Sequence, residues 1–237
     1  MANPKRIPAE EKRQWSRKVR RDFTLMEGAQ SRVADLKTAL GIGFEALKGF
    51  WAFRKEQNCV TVFGSARFKE DHPYYELTRK MGGELARAGY TVMTGGGPGV
   101  MEAANRGAFE AGGRSIGCNI ILPQEQNVNP YVDMSIDMSY FFVRKLMLVK
   151  YSKAFILMPG GFGTMDEIFE TMTLIQTNKI EDFPIICMGL DYWRHLVPFI
   201  TDTMVKAGTI SQDDLDVVFM TDDPVEAVGY IKRFAPA

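Results

Sequence analysis

The chain has 237 residues, of which 46% are hydrophobic and 24% charged, so it has ample material for the core of one α/β domain. Its 29 basic and 29 acidic residues cancel, and the overall charge gives no reason to expect nucleic acid or a membrane as partner. No signal peptide or membrane-spanning apolar run is visible, the three cysteines stand singly, and the two histidines lack metal-binding spacing. We therefore expect a cytoplasmic protein that holds no metal.

Residues 1–57 are predicted to form a helical extension that begins with a basic arm. Eight lysines and arginines face two glutamates in the first 21 residues, and we interpret this arm as solvated surface rather than an RNA or membrane contact. Apolar residues recur every three or four positions from Phe23 to Phe50, as on one helix face, although Gly41 and Gly43 leave open one helix or two. We expect this face to pack on the core or on a second subunit, since such a patch is rare in soluble monomers.

Residues 58–237 show short β-branched and apolar runs that alternate with helical stretches. This alternation predicts a parallel sheet with helices on both faces. The predicted strands lie at 59–63, 90–93, 115–121, 154–158, 184–188 and 217–220, with a further candidate at 132–138. The predicted helices lie near 73–88, 99–112, 140–151, 164–179, 191–207 and 223–234.

Three glycine-containing turns follow predicted strands: GSAR at 64–67, TGGGPG at 94–99 and PGGFGTMDE at 159–167. The latter two also open helices, an arrangement that points backbone N–H groups and a helix dipole at an anion. Because ligands of open parallel sheets bind beyond the carboxyl ends of the strands, we expect the turns to converge on one crevice that holds a phosphorylated small molecule. A tight strand-to-helix connection is the alternative for each turn alone. The candidate ligand contacts in the turns are Gly64, Ser65, Gly96, Gly97, Gly99, Gly160, Gly161, Phe162, Gly163 and Thr164.

The glycine-rich turns do not match two common nucleotide-binding motifs. A dinucleotide fingerprint that starts at Gly95 would require glycine where Val100 stands, and one that starts at Gly97 would require it at Glu102. Neither turn supplies the lysine followed by serine or threonine of a P-loop. The sequence therefore predicts a phosphate pocket without a hydride-transfer or phosphoryl-transfer signature.

Two charged residues near these turns each allow two interpretations. Arg144 lies on an otherwise apolar predicted helix, so its guanidinium either meets a fixed anionic partner or extends along the surface to solvent. Glu167 is either a functional carboxylate beside the phosphate site or the last residue of a capping box that starts at Thr164. Spacing alone favours the cap.

The segment at 159–167 resembles the PGGxGTxxE signature of the LONELY GUY (LOG) family of cytokinin riboside 5′-monophosphate phosphoribohydrolases. The Arg144-Lys145 pair and the LPQE segment at 122–125 are also similar to the family, and the resemblance extends from about residue 59 to residue 188. It implies a Rossmann-like, doubly wound parallel sheet, a homodimer or higher homo-oligomer, and no cofactor. The implied reaction is hydrolysis of the N-glycosidic bond of an adenine-type nucleoside 5′-monophosphate.

By this resemblance, Arg144 and Glu167 form the catalytic pair. Further substrate contacts are implied at Glu125, Lys145, Asp166 and Thr173. The chain departs from the family's His-x-Arg-Lys segment, which here reads FVRK at 142–145, and it has a longer N-terminal extension. These departures leave open whether the substrate is AMP or an N6-prenylated nucleotide.

Two other functions remain as alternatives. A non-catalytic carrier or sensor of a phosphorylated ligand, as in molybdenum-cofactor carriers of related fold, would need the glycine turns but not a charged pair at the ribose. A pyridoxal-phosphate-dependent lysine decarboxylase is disfavoured, because none of Lys145, Lys150 and Lys153 has an evident cofactor-binding context.

Overall fold

Seven parallel strands form one sheet at the centre of the protein. The computed structural model describes residues 25–26, 28–122, 127–180, 183–216 and 218–235. In chain order the strands are β1 (Cys59–Phe63), β2 (Thr91–Thr94), β3 (Ser115–Ile120), β4 (Met134–Met138), β5 (Ser152–Leu157), β6 (Ile185–Cys187) and β7 (Val218–Met220). Each predicted strand is therefore present, the candidate at 132–138 included, with ends that differ by at most two residues.

The helices that cover the sheet are α1 (Arg32–Ala52), α2 (Pro73–Arg87), α3 (Val100–Glu110), α4 (Phe141–Lys150), α5 (Phe162–Gln176), α6 (Leu190–Trp193), α7 (Leu196–Pro198) and α8 (Pro224–Phe234). Every residue of β1 and β3 is buried, as expected for parallel strands that are covered on both faces. One core cluster includes Phe155, Met147 and Trp193, and a second includes Val62 and Leu85. The fold is thus a doubly wound α/β sheet, as predicted.

The strand order explains where a ligand can bind. It runs β4-β3-β2-β1-β5-β6-β7, so the chain builds outward from β1 to β4 and then returns to pair β5 with β1. The loops that leave β1 and β5 diverge at this switch in direction, and such a switch point opens a crevice at the carboxyl ends of the strands. The glycine turns that follow β1 and β5 lie at this crevice.

The prediction of one continuous helix at 191–207 was wrong. The structure has the short helices α6 and α7, followed by a π-helical segment at Phe199–Met204. Pro198 supplies a physical reason, because proline lacks the N–H of a regular helical hydrogen bond and its ring crowds the carbonyl one turn earlier.

Helix α1 is continuous through Gly41 and Gly43, which answers the question of one helix or two for the described part of the extension. Its inner side places Ile42, Ala46 and Phe50 against the core cluster beneath α4. The basic arm and Phe23 lie outside the described residues, so their predictions stay untested.

The described residues contain no cluster of potential metal ligands. No helix among them has the length and apolar character to cross a bilayer. Cys59, Cys118 and Cys187 are buried and unpaired, and burial raises the pKa of each thiol to about 12.

Candidate functional site

A cleft of about 830 Å³ opens at the carboxyl ends of β1 and β5. The turn after β1, the turn after β5 and Gly95 after β2 all contribute to its walls, together with side chains of α4 and α5. The predicted site residues that line it are Gly64, Ser65, Arg144, Gly160, Gly161, Phe162, Gly163, Thr164, Asp166 and Glu167.

The turn after β5 presents the amino-terminal end of α5 to the cleft. Gly161 is the N-cap, and its carbonyl oxygen accepts from the N–H groups of Thr164 and Met165, both at 3.0 Å. The first N–H groups of a helix have no intrahelical partner, and the first turn of α5 contains no acidic residue that would occupy its positive end. This end of α5 is therefore suited to an anion.

Two glycines of this turn are not explained by packing inside the protein. A Cβ at Gly160 would collide with Thr164, so a tight connection accounts for that glycine. A Cβ at Gly161 or Gly163 would meet nothing within 4 Å. The tight-connection alternative thus leaves these two unexplained, whereas close approach of a ligand to the backbone would explain both.

The capping-box interpretation of Glu167 was wrong. Helix α5 begins at Phe162, two residues before Thr164, so Thr164 is already inside the first turn and cannot be the N-cap. Glu167 consequently lies in the second turn, too far along the helix to reach back to the N-cap N–H. The spacing matched the motif, but PGGFG started the helix earlier than the motif requires.

Glu167 is a buried carboxylate at the base of the cleft. The residue is 5% exposed, and its Oε2 atom has no hydrogen-bond partner among the described residues. Burial raises the pKa of Glu167 to about 7, although the positive charges of Arg144 and Lys145 act to lower it. A carboxylate with a raised pKa in a cleft is a common feature of catalytic sites.

The guanidinium of Arg144 lines the same cleft as Glu167 and lies against the turn after β2. Its Nε donates to the carbonyl oxygen of Cys118 at 2.9 Å, so a backbone carbonyl takes the place of the anionic partner that the sequence suggested. A Cβ at Gly95 would lie 2.3 Å from Nη2 of Arg144, so a larger residue there would displace the guanidinium. The guanidinium is thus fixed from two sides at the wall of the cleft.

Lys145 joins α4 to α5 behind the cleft. Its Nζ lies 3.0 Å from Oδ2 of Asp166 and also forms an ion pair with Glu170. Burial acts to lower the pKa of Lys145, but hydrogen bonds to the two carboxylates outweigh that effect and raise it. This lysine therefore balances acidic groups that flank Glu167.

The turn after β2 faces a buried polar network more than it faces the cleft. Gly96 donates its N–H to Oγ1 of Thr94, and its carbonyl oxygen accepts from Nδ2 of Asn129, as does that of Gly97. Among the described residues of this turn, Gly95 lines the cleft, whereas Gly96, Gly97 and Gly99 do not. Sequence reasoning missed Asn129, because no motif connects this asparagine with a turn more than 30 residues earlier in the chain.

Of two other predicted contacts, one lies away from the cleft and one is outside the described residues. Thr173 lies on the exposed part of α5, where its hydroxyl donates to the carbonyl oxygen of Phe169. Glu125 lies outside the described residues, so its role stays a prediction.

Sequence reasoning gave no role to two side chains that do line the cleft. Arg67 ends the GSAR turn, a position that could have been singled out as a cation beside a phosphate turn. Tyr192 donates its hydroxyl hydrogen to the carbonyl oxygen of Gly160 at 2.7 Å, and no signal connects it with a turn 32 residues earlier.

The chain is similar in sequence and fold to known proteins. A family model described as "possible lysine decarboxylase" matches residues 101–231. Cytokinin riboside 5′-monophosphate phosphoribohydrolase LOG3 of Arabidopsis thaliana is 29% identical over 188 residues, which cover 75% of this chain and 83% of that protein.

Solved structures show the same fold. The X-ray structure of TM1055 is 27% identical, with a TM-score of 0.56 over 75% of this chain and 99% of its own. The molybdenum cofactor carrier protein of Chlamydomonas reinhardtii, at 20% identity and a TM-score of 0.55 over 75% of this chain and 98% of its own, is similar in fold. Because the family model spans more than half of the chain and the PGGFGTMDE turn forms the cleft, the protein belongs to the LOG family, whose model carries the lysine decarboxylase description.

Proposed function

We propose that this protein hydrolyses the N-glycosidic bond of an adenine-type nucleoside 5′-monophosphate, either AMP or a cytokinin riboside 5′-monophosphate, to the free base and ribose 5-phosphate. The observation that carries the proposal is Glu167, a buried carboxylate with an unpartnered oxygen at the base of the cleft. The names of relatives such as LOG3 support the same reaction.

The phosphate would bind at the amino-terminal end of α5. The turn at Gly160–Thr164 offers backbone N–H groups, the positive end of a helix dipole and open space above Gly161 and Gly163. Arg67, which also lines the cleft, would supply a positive charge. Phosphate binding remote from the reacting bond would then align the ribose.

The ionised Glu167 would stabilise the positive charge that develops on the ribose. As the C1′–N9 bond breaks, its electron pair leaves with the base, and C1′ gains oxocarbenium character. Water supplies the oxygen that bonds to C1′ and gives up one proton, and the departing base takes up one proton, so one water is added across the broken bond. Glu167 can orient that water or accept its proton. Fixed electrostatic stabilisation of this kind is typically worth 100-fold or more in rate.

Arg144 and Lys145 would favour the ionised form of Glu167. Their positive charges oppose the effect of burial on the pKa of Glu167, which would otherwise favour the protonated form. Arg144 also lines the cleft, so it is placed to contact the substrate directly. We expect the reaction to take place in the cytoplasm, because the three buried cysteines are unpaired.

Incubation with a panel of nucleotides tests the proposal. We expect free adenine or N6-substituted adenine to be released from the corresponding 5′-monophosphate, with little release from the nucleoside, when products are separated by chromatography. Glu167→Gln should lose this activity, whereas Glu76→Gln, a matched change on the surface of α2, should retain it. Equal turnover of AMP and adenosine would contradict the phosphate site.

A carrier or sensor function makes a different prediction in the same experiment. Such a protein would bind a phosphorylated ligand without releasing a base, and Glu167→Gln would leave that binding intact. The buried carboxyl group of Glu167 favours the hydrolase, because an ionisable group with an unpartnered oxygen is costly to bury unless it has a function.

A pyridoxal-phosphate mechanism does not fit the lysines that are present. Lys145 is engaged by Asp166 and Glu170, so its amine is held in the charged form. Lys150 lies over the rings of Phe50 and Tyr151. Neither Lys150 nor Lys153 lines the cleft among its described residues.

A further inference from the structure

Helix α1 has an apolar side that nothing in the described structure covers. We call this the outer stripe of α1, and each of its members is between 60% and 73% exposed. Successive members are three or four residues apart, so they form one line along the helix. The outer stripe consists of Val33, Leu36, Leu40, Phe44, Leu47 and Trp51.

The size of the outer stripe matches that of a protein interface. Its four aliphatic and two aromatic side chains expose on the order of 700 Å² of apolar surface. Monomeric soluble proteins rarely leave a contiguous apolar patch of more than a few hundred Å². A stable interface of standard size buries about 800 Å² on each partner, so the stripe and its margins supply the area that a partner would need.

The order of the residues makes the outer stripe complementary to itself. If two copies of α1 pack antiparallel about a two-fold axis near residue 42, Val33 meets Trp51, Leu36 meets Leu47, and Leu40 meets Phe44. The smallest member of the stripe thus faces the largest. Interfaces between identical subunits most often have this two-fold form, in which one surface serves both partners.

Gly43 provides a separate indication that a helix approaches this side. It is exposed, lies three residues after Leu40 and four before Leu47, and a Cβ there would meet nothing within 4 Å. Glycine in a helix interior is destabilising relative to alanine. The subunit alone gives no packing reason for this cost, whereas close approach of a second backbone does.

We propose that the outer stripe of α1 docks antiparallel onto the outer stripe of a second copy of this chain. The occupant is a second copy because area, self-complementary order and Gly43 all fit an identical helix. This interface is independent of the catalytic proposal, since none of the stripe residues lines the cleft.

Sedimentation analysis of the full chain and a double variant tests the proposal. Leu40→Glu with Phe44→Glu places four carboxylates at the centre of the contact, so we expect the mass of the assembly to fall by half. Both side chains are exposed, and circular dichroism should therefore show an intact fold. Val225→Glu, which charges an exposed valine of α8, is the matched control and should leave the mass unchanged.

Cysteine cross-linking tests the antiparallel register and does not depend on how the charged variant folds. Val33→Cys combined with Trp51→Cys should give a covalent dimer on oxidation. Either cysteine alone should not, because its counterpart would lie about 27 Å away along the helix. A monomeric wild-type chain, an unchanged mass in the charged variant, or cross-linking by a single cysteine would each overturn the proposal.

Discussion

Glu167 is the residue at which stability and function are most directly opposed. Its folded-state pKa, about 7, lies above the ordinary value of 4.5 because burial disfavours the charge. Such a group contributes stability that is fully present below the ordinary pKa and is lost as the pH rises through about 7. The activity, in contrast, requires the ionised form, so catalysis should increase over the same pH range in which this contribution disappears.

Replacement of Glu167 by glutamine should separate these two effects. We expect kcat to fall by roughly 100-fold or more, because the charge that would stabilise the oxocarbenium ion is gone. The free energy of unfolding of the variant should rise relative to wild type between pH 5 and pH 8, by up to about 3 kcal/mol. Denaturant titrations at both pH values measure this difference. A variant that keeps normal turnover would contradict the proposed role of the carboxylate.

Gly95 offers a test of Arg144 that leaves the arginine in place. A Cβ at this position would lie 2.3 Å from Nη2 of Arg144 and 2.7 Å from Sδ of Met101, so Gly95→Ala must displace both side chains. We expect at least a tenfold loss of kcat/KM with a folded protein, since a misplaced group costs catalysis heavily.

The matched control for this change is Gly229→Ala on α8, where a Cβ meets nothing within 4 Å. It should leave kcat/KM unchanged. If Gly95→Ala behaves like this control, the position of the guanidinium does not matter for the reaction, and Arg144 returns to the interpretation of a surface arginine.

The sequence predicted the chemistry of single residues better than their local geometry. The PGGFG turn indicated the amino-terminal end of α5, and Arg144 and Glu167, which the sequence singled out, both line the cleft. The capping box failed because its spacing is also compatible with a helix that starts two residues earlier. The network around Asn129 could not be predicted, since the groups to which its Nδ2 donates lie 24 or more residues away in the chain.

At the scale of elements, α1 supports the helix that carries Arg144. Glu45 of α1 is 4% exposed, and its Oε1 accepts from the N–H groups of Ser139 and Tyr140 at 2.7 and 2.9 Å. Tyr140 is the N-cap of α4, so a carboxylate from another helix caps this one and favours its dipole. The N-terminal extension is therefore structurally connected to the site.

Changes at Glu45 should reveal this connection. Glu45→Ala removes the acceptor for two buried N–H groups and should lower the free energy of unfolding by about 1–3 kcal/mol, with Glu45→Gln less damaging because it keeps an oxygen. Denaturant titration measures the order of the two variants. The activity of Glu45→Ala should fall as well, because α4 positions Arg144. Equal stability of wild type and Glu45→Ala would contradict this capping role.

Elements were predictable where their periodicity was strong and local. The β-branched runs predicted the strands. Because the carboxyl ends of parallel strands lie at one edge of a sheet, they also predicted that the turns lie close together. The two sides of α1 could not be distinguished in this way, because Ile42 and Leu40 look alike in a sequence, while the structure packs the first on the core and exposes the second. Tertiary contacts decide that difference.

At the scale of the whole molecule, sheet topology assembles the site from distant segments. The pairing of β1 with β5 brings Gly64 beside Gly160, although 96 residues separate them, and Ser65 donates its N–H to the carbonyl oxygen of Pro159 at 2.9 Å. The pairing between these two strands therefore holds two walls of the cleft together. Helix α1 then covers the helix layer beneath the site.

Truncation of the extension should show that α1 belongs to the folded core. Deletion of residues 1–20 leaves every described contact in place and should be mild in both activity and stability. Deletion of residues 1–52 removes Glu45 from α4 and uncovers Met138 and Met147, whose side chains lie against Gly49 of α1. We therefore expect the longer deletion to aggregate or to lose its cooperative unfolding transition, as seen by light scattering and thermal melts.

The Leu40→Glu and Phe44→Glu variant differs from the longer deletion because it keeps α1, so it should lose assembly but not folding. A well-behaved enzyme of unchanged mass after the longer deletion would contradict both roles of α1, as a support for the site and as an interface.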